Sequence, residues 1–326
     1  DSIGQVGVDP GSSWGSGSVT TANDTLIRLS SVAGGDTDPF DAYDTSEWEG
    51  LAQDDFTGLG SHDYTGSGDD GGDDGSGTGG GDEDLSGVCT NCPDLDKVAD
   101  AGEFDAASYY AAVQAEIDAS SDTSVIRQVL SETISGQRVL TYSEVWTALT
   151  ETDEDPANPD NIILIYSGKS IPKSENGSGE YSSQPDYWNR EHSWPKSHGF
   201  SSSSNEAYTD IQHLRPSDIT VNSSRSNLDF DNSDNALSEA PANRIDSDSF
   251  EPRDEVKGDI ARMMMYMDMR YEGAGSDVTP DLVLVDRITS NGEAALGKLC
   301  TLIAWSNADP VDADETRRHS AIYEYQ

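Results

Sequence analysis

Between Arg28 and Lys97 the chain carries no lysine or arginine, and residues 66–84, GSGDDGGDDGSGTGGGDED, contain only Gly, Asp, Glu, Ser and Thr. Such a run has no apolar side chain whose burial could offset the entropy of ordering it, and its like charges repel one another. A disordered acidic linker is therefore expected over 66–98, and any folded domain must lie to either side of it. On the N-terminal side, residues 1–65 include "TLIRLSSVAGG" and "EWEGLAQDDFTGLGSHD", short β-favouring pieces separated by turn residues, which suit a small, partial β-rich segment. On the C-terminal side, residues 99–326 are rich enough in Ile, Leu, Val, Met and aromatics to bury a sizeable core.

The 62 Asp and Glu outnumber the 19 Lys and Arg, for a formal net charge of -43. That balance keeps a chain soluble where salt screens its self-repulsion, and it points to a saline setting. It also argues against a polyanionic partner, because nucleic acid is held through Lys and Arg contacts to phosphate; a nucleic-acid function needs a local patch. The three cysteines are Cys89, Cys92 and Cys300. One C-x-x-C without a second pair suits a local Cys89–Cys92 disulfide better than a zinc site, and leaves Cys300 as an expected buried thiol on a helix. No apolar run approaches the roughly 20 residues of a membrane span. The chain begins at Asp1 with neither Met nor a signal-peptide pattern, which reads as a mature form or a fragment.

Helical periodicity is clear at 104–119, where Asp105 is placed to cap, and again at 124–134, 143–149, 254–271 and 293–305. "NIILIY" (161–166) is short and isoleucine-rich and predicts a buried strand. The class expected is α+β, mainly helical, with the methionines of 254–271 as core filler.

One stretch departs from the acidic background. "YWNREHSWPKSHGF" (187–200) opens a region in which three of the five histidines, His192, His198 and His213, fall within 22 residues, followed by Asn222, Arg225 and Asn227. Arg190, Lys196, Arg215 and Arg225 stand there against Asp186, Glu191, Glu206, Asp210 and Asp218, a relatively positive island. Phosphodiester hydrolysis needs a base, a divalent cation against the developing charge, and a cationic side chain on the phosphate. His192 is suited to the first role, Glu191 and Asn222 offer hard oxygens for Mg²⁺, and the island supplies cations. Adjacent residues on a regular strand point to opposite faces, so Glu191 and His192 can share a site only at a strand end or bulge. "TDIQHL" (209–214) reads as a second strand, and Pro216 is expected in the first turn of a helix over Ser217–Asn227 that places Asn222 and Arg225 on one face.

The order strand, loop, strand, helix, with "NREHSWPKSHGF" and "DIQHLRPSDITVNSSRSN" (210–227), resembles bacterial endonuclease I of the ββα-metal (His-Me finger) nuclease superfamily over residues 88–326. The resemblance implies His192 as general base, Glu191 and Asn222 as ligands of Mg²⁺ with Mn²⁺ or Ca²⁺ as substitutes, and Arg215 or Arg225 on the phosphate. Arg190, Lys196, His198 and Asn227 are the remaining candidate substrate contacts. It further implies a secreted, monomeric, sequence-nonspecific endonuclease that cuts DNA, in some members RNA, to 5'-phosphate ends. Residues 25–65 resemble the C-terminal part of a lamin-tail β-sandwich. Two departures stand out: Gln212 occupies the middle of an Asp-x-His motif, and relatives continue beyond Gln326, so a truncated catalytic domain is expected.

Bland roles compete. Trp188 and Trp194 suit packing of the hairpin, Asn227 suits a helix C-cap, and His62 and His319 suit the surface. The sequons at Asn23, Asn176 and Asn222 are read as chance at Asn222, where a sugar would block the site. A zinc hydrolase built on His192, His198 and His213, or a calcium-binding surface protein built on the Asp-Gly linker, are the rival functions.

Overall fold

The computed structural model describes residues 10–17, 19–22, 24–29, 43–52, 89, 92–178, 186–273 and 279–326. The acidic run at 66–84, His62 and the Asn23 sequon lie outside the described residues. The chain divides into two units, Asp1–Gly80 and Gly81–Gln326. In the first, β1 (Gly15–Ser16) pairs with β2 (Val19–Thr20), and β3 (Asp24–Arg28) runs antiparallel to β4 (Trp48–Ala52) with Leu26 opposite Gly50.

The second unit is α+β. Its helices are α1 (Ala106–Tyr109), α2 (Ala111–Asp118), α3 (Thr123–Thr133), α4 (Glu144–Thr152), α5 (Ile219–Arg225), α6 (Lys257–Arg270), α7 (Leu299–Ala308) and α8 (Ala313–Tyr325). Three strands, β5 (Glu154–Asp155), β6 (Asn158–Ile163) and β7 (Ser170–Pro172), form one antiparallel sheet, and β8 (Trp188–His192) pairs with β9 (Leu214–Asp218) in another. The remaining strands are short: β10 (Asp229–Phe230), β11 (Asn235–Ala236), β12 (Arg244–Ile245) and β13 (Ser249–Glu251) in one sheet, and β14 (Val283–Leu284) beside β15 (Ala295–Leu296) in another. No helix among the described residues is long and apolar enough to cross a membrane.

Asp105 caps as its position requires, accepting from the amides of Ala107 and Ser108. The helix it opens is interrupted at Tyr110, whose N–H turns back to Ala106 and Ser108 carbonyls. Phe104, Tyr109, Tyr110 and Tyr323 gather there, with ring centroids 4.8–5.3 Å apart, so aromatic packing overrides the helical register. On α6, Ile260, Ala261, Met263, Met264 and Met267 recur at helical spacing and are buried, so the methionines are core. Gly258 lets α6 start against the end of α7, since a Cβ there would stand 1.9 Å from the Asp309 carbonyl oxygen.

Several expectations are corrected. Residues 293–298 are not helical: Ala295 and Leu296 pair with β14, and the helix begins only at Leu299. Cys300 lies on that helix but is exposed, because Leu302 and Trp305 carry its buried face. Cys89 and Cys92 are disulfide-bonded. Thr209 closes a short 3-10 helix and residues 211–213 form a turn, with the Ile211 amide donating to Gln326 Oε1 and the Gln212 amide to Asp210 Oδ1 in place of a ladder. The second strand is therefore displaced to 214–218, and Pro216 lies inside it, not in a helix. It is tolerated because it pairs with Arg190 at a position whose carbonyl faces outward, accepting from the Ile165 amide, so no ladder bond to β8 needs the missing N–H.

Two hydrophobic clusters meet around β8 and β9. One holds Trp194, Phe200, Tyr208, Phe230, Phe250 and the α6 methionines; the other holds Trp146, Leu149, Ile162, Trp188, Leu214, Ile322 and Tyr325. Trp188 and Trp194 are fully buried, which places both in packing.

A buried ionic knot ties α4, β9 and α8 together. Asp153 accepts from Arg215 Nε at 2.6 Å and from Arg318 Nε at 3.3 Å, while Arg318 Nη2 also donates to the carbonyls of Ile211 (2.6 Å) and Leu214 (2.8 Å). Burial holds Arg318 down to about 10, so it remains charged at neutral pH. Removing the shared acceptor would leave buried Arg318 without its paired carboxylate and Arg215 with only Asp259, at 4.0 Å. Asp153→Asn is expected to cost about 3–5 kcal/mol, read as a lowered urea midpoint by circular dichroism; an unchanged midpoint would show that the knot adds nothing to stability.

Candidate active site

β8 ends in the pair Glu191–His192, and β9 runs straight into α5 through Asp218, whose side chain caps the helix by accepting from the amides of Thr220 and Val221. The register sets Glu191 opposite Arg215 and His192 opposite Leu214. Alternation along β8 then sorts the candidates. Asn189 and Glu191 turn to α5, and Arg190 and His192 turn toward Tyr142 and Tyr208.

On the α5 side, Glu191 is buried, with Oε1 accepting from the Tyr166 hydroxyl at 2.6 Å and lying 3.3 Å from Arg225 Nη1. Both contacts fall on one oxygen, so Oε2 is the atom with acceptor capacity to spare. Burial raises the Glu191 carboxyl above its ordinary range, opposed by Arg225. Asn222 Nδ2 donates to Asn189 Oδ1 at 2.8 Å, which orients the amide and leaves Asn222 Oδ1 as an acceptor. One carboxylate and one amide oxygen on the same strand–helix interface are hard donors that suit a small divalent cation keeping several waters. Among the described residues no three His, Cys, Asp or Glu side chains gather as a metal-ligand group.

Arg225 is fully buried, with Nη1 donating to the His192 carbonyl (3.2 Å) and Nη2 to the Ser193 carbonyl (2.6 Å). Its guanidinium stands 4.6 Å from the Phe230 ring centre. Arg215 is committed to Asp153, with Asp259 at 4.0 Å. Neither arginine is turned to solvent, and both hold the scaffold in this structure.

On the other side, His192 Nε2 lies 2.9 Å from the Tyr208 carbonyl oxygen. A carbonyl only accepts, so this nitrogen carries the proton and Nδ1 holds the lone pair. The ring is boxed by Tyr142, stacked at 5.8 Å, and by Tyr208, Phe200 and His213 at 4.9, 6.3 and 5.6 Å. Burial, reinforced by His213, Lys196 and Arg190, holds His192 well below the usual imidazole range, so it is neutral at neutral pH. His213 is likewise depressed, to about 4, chiefly by burial, and its Nε2 meets the Ala207 carbonyl at 2.8 Å.

Lys196 is exposed, with Nζ 3.2 Å from the Tyr208 hydroxyl, at the edge of the ring that packs on His192. Arg190 is lodged between the rings of Tyr142 and Trp146, 3.4 and 4.0 Å from their centres, and burial brings it down to about 10. His198 turns away: Nδ1 lies 2.9 Å from the Ala295 carbonyl oxygen and 3.2 Å from Thr289 Oγ1. The three histidines a zinc hydrolase would require thus do not converge. Asn227 bonds to Asn291, while the helix end is closed by Ser226, at φ 56° and donating its amide to the Asn222 carbonyl. Asn176, the second sequon, is fully buried beside the disulfide.

Sequence reasoning missed Tyr142, Tyr166, Tyr208 and Asn189. Tyr166 and Asn189 lie within recognisable segments, 161–166 and 187–200, and carry polar ends beside apolar or charged neighbours, a signal that could have flagged them. Tyr208 contributes through its backbone carbonyl, which leaves no mark on residue type.

The comparisons agree on one lineage. Residues 123–326 match the Endonuclease I family. Over 200 residues, 61% of this chain, it is 52% identical to an extracellular ribonuclease of Bacillus amyloliquefaciens and covers 66% of that protein. It is 51% identical over 200 residues to the extracellular ribonuclease of Bacillus subtilis (strain 168), covering 67% of it. The chain thus spans about two thirds of the length of these curated relatives. With the family pattern running from α3 to the last residue of α8 and beyond, through every side chain of the site just described, the chain belongs to the endonuclease I family.

Proposed function

We propose that this protein is an exported, metal-dependent, sequence-nonspecific endonuclease that hydrolyses phosphodiester bonds of DNA and RNA. The observation that carries the reading is the end of β8, where its last residue, His192, has a neutral imidazole with its lone pair on Nδ1 and the preceding Glu191, on the α5 side with the Asn222 amide, has an oxygen to spare, as Asn222 does. β8, β9 and α5 would form the ββα-metal unit of the family. RNA enters as a substrate because both relatives are named extracellular ribonucleases, and their names also support export.

In this reading Glu191 and Asn222 hold the cation, Mg²⁺ by the hardness and small number of the donors. When bound, it would neutralise charge that builds on the phosphate in the transition state. His192 accepts the proton of the attacking water at Nδ1 while Nε2–H stays on the Tyr208 carbonyl, so the ring neither rotates nor loses its tautomer as charge appears on it. The water oxygen bonds to phosphorus as the P–O3' bond breaks, the 3'-oxygen takes a proton from solvent to become a hydroxyl, His192 returns its proton to solvent, and the product carries a 5'-phosphate. Arg225 fixes Glu191 and the strand-end carbonyls. Lys196, the exposed cation beside the base, meets the phosphate. Gripping backbone and not base edges accounts for indifference to sequence.

The deciding experiment is nicking of supercoiled plasmid, with a parallel RNA assay, in Mg²⁺ at moderate salt. His192→Ala is expected to lower the rate by about 10²–10⁴-fold, and EDTA to abolish cleavage; cleavage that survives His192→Ala names the wrong base. The charge balance generates a second expectation. Cleavage should rise from very low salt as self-repulsion of the chain is screened, then fall as phosphate contacts weaken. Lys196→Gln should flatten the falling limb by about one phosphate contact. A monotonic decline from the lowest salt would remove the screening part, and an unaltered slope in Lys196→Gln would remove Lys196 from the phosphate.

A further inference from the structure

The β8 face opposite α5 carries a stack whose purpose the hydrolytic reading does not by itself supply. Tyr142 and Trp146 lie one helical turn apart at the start of α4, joined by the Val145 amide bonding back to Thr141 and the Trp146 amide to Ser143. The Arg190 guanidinium fits between their rings, 3.4 Å from the centre of Tyr142 and 4.0 Å from that of Trp146, and its Nη1 donates to the Tyr142 carbonyl. The Tyr142 ring is also stacked on His192, at 5.8 Å and 29°, and meets Tyr208 edge-on at 5.0 Å. Tyr208 in turn is the residue whose carbonyl holds His192 Nε2.

Tyr142 is thus gripped by a residue of the same strand that carries His192, two positions earlier, and stacks in an offset arrangement beside the imidazole. We propose that Arg190 and Tyr142 form a clamp that positions the His192 ring, with Arg190 acting through Tyr142 and not on the phosphate. This rests on the reading of His192 as the base. Its physical content is twofold. The His192 ring is held by one hydrogen bond, about which it can swing, and Tyr142 is the stacked one among the four rings that limit that swing. A guanidinium held between two aromatic faces, with a backbone acceptor on one nitrogen, fixes the neighbour better than an ammonium could, because its plane matches the rings and its donors form a fork.

The test uses the whole chain and four variants, Tyr142→Phe, Tyr142→Leu, Arg190→Lys and Arg190→Gln, each checked for cooperative unfolding. Cleavage of a fluorogenic DNA oligonucleotide is followed across substrate and salt concentration. Tyr142→Leu and Arg190→Gln are expected to lower kcat about 10–100-fold, the scale of misplacing a reacting group, with KM and the salt slope as in the parent. Tyr142→Phe keeps the ring and should recover most of the loss seen with Leu; Arg190→Lys keeps the charge but not the plane and should not. In the nuclear magnetic resonance spectrum, the ring protons of His192, assigned by their absence in His192→Ala, should lose the ring-current shift of Tyr142 in the Leu variant and keep it in the Phe variant.

Arg190→Gln that raises KM and flattens the salt dependence with kcat intact would overturn the clamp and make Arg190 a phosphate contact. Unmoved His192 resonances in Tyr142→Leu would overturn it also, whatever the activity. Because the spectrum reports the stack without catalysis, the clamp and the assignment of the base fail separately: full cleavage by His192→Ala discards the base, and the resonances still decide the contact.

Discussion

A guanidinium with no exposure to solvent is expensive to keep charged, and Arg225 is such a group. What compensates it is the end of one strand: the Glu191 carboxylate and the carbonyls of His192 and Ser193. Each partner is therefore held in place by the need to satisfy the same buried cation. The last turn of α5 cannot drift from β8 without stranding that charge, and Asn222, one turn earlier on the same helix face, is carried along with it. Precision at the candidate cation site is thus a by-product of a desolvation penalty elsewhere.

The arrangement also decides what becomes of the few cations in a chain with a formal charge of -43. Most arginines of the region are spent internally, on Asp153, on Glu191 or between aromatic rings. Lys196, by contrast, is exposed and set on the Tyr208 ring. His192 and His213 add no charge, since burial keeps both neutral. The interior of the candidate site is built from dipoles and paired ions.

How much of this was legible in the sequence depends on whether a residue acts by type or by place. Asp105 caps because an aspartate before a helical run offers its carboxylate to free amides, and that logic is local. The methionines of α6 and the tryptophans of the hairpin were legible as core from spacing and size. Pro216 was not, because a proline inside a strand depends on which way its carbonyl points, and that follows from pairing with a distant segment. Cys300 went astray for the related reason that two residues, Leu302 and Trp305, decide which face of α7 is buried. In the site, the types of Glu191, His192 and Asn222 were enough to make them candidates, whereas the commitment of Arg215 to Asp153, 62 residues away, could come only from the tertiary fold.

The passage from β9 to α5 has no loop: the strand closes at Asp218 and the helix opens at Ile219. A joint without slack cannot absorb a change in chain length. One residue gained or lost there would rotate the helix by about 100°, sending Asn222 and Arg225 away from β8 together. Length variation among relatives should therefore collect in the loops that flank this unit, such as 199–205, and spare the joint itself. Divergence in this part of the molecule would then proceed by substitution alone, with the spacing between Asp218 and Asn222 acting as a fixed ruler.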